Sequence, residues 1–148
     1  MKSKVIFFIF LLLPIWVAVA VGSVAGENSG NLVVNVSGFE HQEGQAGMNL
    51  FIKQEDMFDK PYRQAFAKIE NGKARIVLPD LPFGAYAIVV FHDENGNGKV
   101  DHNFFKFPSE PLAYPSGYAF GLTSGRPTFD KLRIRFESDL QTFSVVVE

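Results

Sequence analysis

Apolar and polar side chains alternate strictly in several short stretches of this chain, and a period of two is the signature of a half-buried strand. Leu132, Ile134 and Phe136 alternate with Lys131, Arg133 and Arg135, and Phe143, Val145 and Val147 with Thr142, Ser144 and Val146. Leu32, Val34 and Val36 do the same against Val33, Asn35 and Ser37. Met48 to Ile52 reads as a further strand. Asn71-Gly72 separates two more, 65–69 and 74–78, and is a strong short-range hairpin signal. Residues 79–84, with two prolines and a glycine, read as a turn-rich connector. Ala85 to Phe91 has little polarity on either face, which predicts a central strand covered on both sides. In residues 54–62, Pro61 limits any helix to a short one. The expectation is an all-β, Greek-key sandwich, immunoglobulin-like, with about seven strands and one long irregular loop from His92 to Arg126.

The first 25 residues stand apart. A basic start, Met1-Lys2-Ser3-Lys4, precedes an apolar run from Val5 to Val21 and a small-residue ending at Ser23-Val24-Ala25. That order is expected of a secretory signal peptide cut after Ala25, with an N-terminal membrane anchor as the alternative. The predicted organisation is a signal peptide at 1–25 and a single domain over 26–148. Losing Lys2 and Lys4 takes the formal net charge from −2 to near −4, with 12 basic against 16 acidic side chains. Such a surface offers no footprint for nucleic acid. The chain has no cysteine, so disulfides, thiolate nucleophiles, Cys-ligated metals and an acylated lipoprotein anchor are not expected. A periplasmic or secreted location is expected, with no membrane span after cleavage.

Within the long loop, Asp93-Glu94-Asn95-Gly96-Asn97-Gly98-Lys99-Val100-Asp101 places oxygen side chains at alternate positions. Asp93, Asn95 and Asn97 can converge on a hard cation, and Gly98 permits the bend that follows. Lys99 offers its carbonyl, and Asp101 binds directly or through water, as in the first three-quarters of an EF-hand loop. The bidentate Glu expected at the end of such a loop is replaced by Phe104. Glu110 is the first candidate to complete the shell, which makes Asp93, Asn95, Asn97, Lys99, Asp101 and Glu110 the candidate ligands of a structural Ca2+. The competing reading is a plain turn, because Asn-Gly pairs accept positive φ cheaply.

Aromatics crowd the next stretch. Phe104, Phe105 and Phe107 are expected to turn inward and cap one end of the sandwich. Tyr114, Tyr118 and Phe120 are the candidates for a groove that takes a sugar or an extended peptide.

Leu81-Pro82-Phe83-Gly84-Ala85-Tyr86-Ala87, leading into Phe91-His92-Asp93-Glu94-Asn95-Gly96-Asn97-Gly98-Lys99-Val100-Asp101, resembles a secreted bacterial family, domain-of-unknown-function family 2141. Pro108-Ser109-Glu110 and Pro127-Thr128-Phe129 fill that family's later P-x-E and P-x-F positions, and the likeness runs over roughly 31–147. The chain departs from the pattern after Glu110, where it carries a longer segment from Pro111 to Gly125. The resemblance implies export and a prealbumin-like β-sandwich, and supplies no activity.

An enzyme is not expected. The three histidines, His41, His92 and His102, form no recognisable triad, and there is no G-x-S-x-G elbow. His92 and His102 with a carboxylate are the pair to weigh as zinc ligands. The remaining classes are a binding module for a protein or carbohydrate of the cell envelope, a structural envelope component using an exposed edge strand, and a hydrolase of envelope carbohydrate, whose paired acids the calcium loop already absorbs. Lys131, Arg133 and Arg135 form a basic stripe that reads as a solvated face.

Overall fold

The computed structural model describes residues 28–105, 107–119 and 124–147. The expected signal peptide, 1–25, and Phe120 lie outside the described residues. Among the described residues eight strands follow one another: β1 (Ser29–Ser37), β2 (Gln45–Phe51), β3 (Arg63–Ala67), β4 (Lys73–Pro82), β5 (Gly84–Asp93), β6 (Leu112–Ala113), β7 (Arg133–Phe136) and β8 (Thr142–Val146). A single helical turn, α1 (Phe129–Leu132), precedes β7, and a 3-10 turn occupies Gln54–Asp56.

The strands form two sheets. The smaller has the order β4-β1-β8, with β1 antiparallel to β4 and parallel to β8. In the larger, β3-β2-β5 are antiparallel neighbours, and the far side of β5 is shared by β7 at one end and β6 at the other. An all-β, two-sheet architecture is what the alternation predicts. The eighth strand is the two-residue β6, which lies inside the expected long loop.

Alternation decides what each sheet buries. Leu32, Val34 and Val36 of β1 and Ile76 and Leu78 of β4 meet Met48 and Leu50 of β2 and Ile88 and Val90 of β5 in the core between the sheets. The outward residues of β5, Ala87 and Val89, are buried as well. They pack with Phe51, Met57 and Leu132 in a second cluster, covered by Leu112, Tyr114, Tyr118 and Phe129. Thus β5 is covered on both faces, as its near-continuous apolar run implies.

Three local expectations are corrected. Asn71 and Gly72 do form a tight turn, with φ of 53° and 71° and mutual Glu70–Lys73 backbone hydrogen bonds, but the hairpin goes no further. β3 joins β2 in one sheet and β4 joins β1 in the other, so the turn carries the chain across the sandwich. Residues 79–82 are the end of β4, which reaches its partner register through a bulge: Leu32 faces Leu78 whereas Gly30 faces Leu81. Asp80, at φ 51°, absorbs the extra residue. Finally, Lys131 belongs to α1 and not to a strand, and its ammonium is bound by the carbonyls of Ser124 and Arg126.

Candidate metal centre

The loop 94–101 leaves the end of β5 and lies against the outward residues of β2 and β3. Gln45, paired with Asp93 in the ladder, donates its side-chain amide to Asp93 Oδ2 at 2.7 Å. Gln64 on β3 donates to the Gly98 carbonyl and to Asn49 Oδ1.

Asp93 organises the loop from beneath. It is fully buried, its Oδ1 accepts the Asn97 N–H at 3.0 Å and its Oδ2 the Gly98 N–H at 2.9 Å. Asn95 Oδ1 accepts the Asn97 N–H, and Asn97 Oδ1 the Lys99 N–H at 2.8 Å. These side chain-to-backbone bonds wind the chain into a tight coil. Gly96 and Gly98 sit at φ of 71° and 76°, where a side chain is disfavoured. Asp101 closes the coil, accepting from the side-chain amides of both Asn95 and Asn97.

Glu110 ties the two ends together. It is buried, with Oε1 accepting the Glu94 N–H at 3.2 Å and Oε2 the Asp101 N–H at 3.0 Å. Burial pushes its carboxyl above the usual value; the two N–H donors pull it down, and the charges of Asp101 and Asp93 push it up again. Three carboxylates therefore face one coil, together with the amide oxygens of Asn95 and Asn97. An amide or carboxylate oxygen that accepts one N–H retains a second lone pair for a cation. The hydrogen bonds thus gather Asp93, Asn95, Asn97, Asp101 and Glu110 around one coil. Lys99 is held through its N–H and its side chain is exposed.

The aromatics are arranged opposite to expectation. Ser109 N–H to the Asp101 carbonyl, and Asn103 N–H to the Phe107 carbonyl, close a small hairpin beyond the coil. Asn103 Oδ1 caps its tip by accepting from Phe105 and Phe107. Phe104 and Phe105, 95% and 76% exposed, project from it, and Phe107 is also exposed. They cap no core. Tyr114 and Tyr118, in contrast, fold back onto the outer face of β5 as an edge-to-face pair with centroids 5.2 Å apart. Burial raises the Tyr114 phenol to about 12. The groove expected from Tyr114, Tyr118 and Phe120 is for its two described members a packing cluster.

His102 is exposed on the hairpin, with Pro108 opposite it. The imidazole beside His92 is instead that of His41, with ring centroids 4.6 Å apart, and Glu94 reaches both. Neither Gln45 nor His41 carries a local sequence signal, because strand register and loop packing place them here. Among the described residues no helix is long and apolar enough to cross a membrane.

A family model described as an uncharacterized protein conserved in bacteria (DUF2141) matches residues 34–144, a span that takes in β2 to β7, parts of β1 and β8, and the whole coil. No curated protein and no solved structure matches the chain.

Proposed function

We propose that this chain, which belongs to the bacterial family DUF2141, is an exported, non-catalytic binding module whose 93–101 coil and Glu110 hold a structural Ca2+. The observation that carries the reading is Glu110: a buried carboxylate from outside the coil, hydrogen-bonded to both of its ends and facing two further acids. Two backbone N–H bonds hold Glu110 in place, while burial and the charges of Asp101 and Asp93 oppose its ionised form, and a divalent cation would offset that opposition. Asp93, Asn95, Asn97, Asp101 and Glu110 supply the side-chain oxygens, and the Lys99 carbonyl supplies another. Both Asp93 oxygens already accept loop amides, which suits a scaffold role better than acid–base chemistry.

The fixed coil carries the Phe104–Phe107 hairpin, the exposed aromatic surface on which a protein or carbohydrate ligand of the envelope would dock. Export to the periplasm or beyond follows from the pattern of residues 1–25.

Thermal unfolding in EDTA and in 5 mM CaCl2 tests this. An ion that binds only the folded state with Kd of ~10⁻⁴ M adds about 2 kcal/mol, or roughly 5–10 °C in Tm. Glu110→Gln should abolish most of that increment. A midpoint indifferent to calcium in the unaltered protein overturns the proposal.

A further inference from the structure

Asp93 and His92 are neighbours on β5, so the pleat sends their side chains to opposite faces. Asp93 points out, into the coil. His92 points in, at the end of the core between the sheets, with its ring edge-on to Phe39 at 5.0 Å. His92 is 1% exposed, and its Nε2 lies 2.8 Å from the Glu43 carbonyl. A carbonyl only accepts, so Nε2 carries the hydrogen, and in the neutral imidazole the lone pair belongs to Nδ1. Glu94 Oε1 lies 3.9 Å from that Nδ1. Glu94 Oε1 also lies 3.4 Å from His41 Nε2.

We infer that His41 Nε2, His92 Nδ1 and Glu94 Oε1 form a site for a divalent, imidazole-preferring transition metal, Zn2+ foremost. The donor set is two nitrogens and one carboxylate oxygen, all within 4.8 Å of one another. Ligands about 2.0–2.1 Å from a tetrahedral zinc stand roughly 3.4 Å apart. The His41–Glu94 edge already has that length, the 3.9 Å His92–Glu94 edge needs to close by about 0.5 Å, and the His41–His92 edge is within 4.8 Å. In the neutral ring, Nδ1 and the Glu94 carboxylate are two acceptors beyond hydrogen-bonding distance of each other, and a cation between them would bind both.

The outer shell is also in place. A metal-binding histidine usually donates its other N–H to a carbonyl or carboxylate, which sets tautomer and ring angle, and the Glu43 carbonyl does this for His92. An ordinary surface ion pair between His41 and Glu94 would account for one contact and would not require the buried, oriented third ligand. His41 and Glu94 are about half exposed, so an ion can reach the site and a fourth position stays open to water. Softer nitrogen donors separate this site from the all-oxygen coil on the other face of β5, and the inference does not depend on calcium being bound there.

The test is Zn2+ titration of the purified, tag-free protein by calorimetry, with CaCl2 in excess throughout so that the coil does not compete. One Zn2+ per chain is expected. His41→Ala and Glu94→Gln, which alter half-exposed side chains, should each weaken it by about 100-fold or more, while His102→Ala, an exposed imidazole outside the site, leaves it unchanged. Co2+ in place of Zn2+ should show the intense visible absorption of a tetrahedral site. Metal-free unfolding midpoints of the two ligand variants should match that of the parent, which separates lost ligation from lost fold. Absence of stoichiometric Zn2+ binding, or binding that survives both ligand substitutions, overturns the inference.

Discussion

Gly44 shows how a single residue holds two parts of the molecule together. Its φ is +73°, and a Cβ there would lie 2.0 Å from the Asp93 carbonyl oxygen and 2.7 Å from that of Glu94. Both obstacles are backbone and cannot swing aside. The segment before β2 therefore lies flush on the end of β5, which brings His41 and the Glu43 carbonyl over His92. Gly44→Ala should cost about 2–4 kcal/mol in denaturant unfolding, from the left-handed strain and the collision together. An unaltered midpoint would show that the segment moves freely. At this scale the coil was legible, because Asp93, Asn95, Asn97 and Asp101 are neighbours in the chain and their spacing is itself the geometry. His41 and Gln45 were not, since tertiary packing alone brings them to β5. The direction of the phenylalanines was also hidden: 104–107 has no periodicity to read, and Asn103 capping the hairpin decides that they point outward.

Among the elements, the turn between β7 and β8 depends on one carboxylate. Asp139 Oδ1 accepts the Asn31 backbone N–H at 2.6 Å and its side-chain amide at 2.9 Å, tying the turn to β1. The backbone N–H of Asn31 is the main reason that the carboxyl is held below its ordinary 3.8. In the unfolded chain the group titrates near that ordinary value, so its stabilisation is present above it and is lost as pH falls through the lower folded value. Asp139→Ala should be less stable than the parent at neutral pH, and the gap should close in acid. A gap of constant size from neutral pH to pH 2 would assign the effect to packing. The same scale shows why strand positions were easier to read than strand partners. Alternation in β1, β7 and β8 marks a buried face whichever strand lies alongside. Asn71-Gly72 makes the same turn whether the chain doubles back or crosses to the opposite sheet, and burial of Ile76 and Leu78 against the far sheet settles the choice.

The whole molecule has two apolar layers on the two faces of β5, and they can be probed separately. Leu132 is fully buried in the outer one, so Leu132→Ala should cost about 2–4 kcal/mol by cavity formation. Tyr114 in the same layer gives it an alkaline signature. Its phenol ionises near 10 when unfolded and at about 12 when folded, chiefly through burial. Stability should hold up to pH 10 and then fall between 10 and 12, a loss that Tyr114→Phe should reduce. Loss of equal size in that variant would place the alkaline weakness elsewhere.

In the smaller sheet the middle position belongs to β1, the first of the described strands, and one of its two neighbours is β8, the last of them. The paired residues Val33 and Thr142 are 109 positions apart in the chain, so a ribosome releases them at well-separated times. Until Thr142–Val146 emerge, Val33 to Ser37 have an open edge of amides and carbonyls, so folding is a late event governed by distant pairings and belongs on the slow, millisecond-to-second side for a domain of this size. A chain cut short before those last residues would keep that edge and offer it to other copies of itself, which makes premature termination here a route to aggregates.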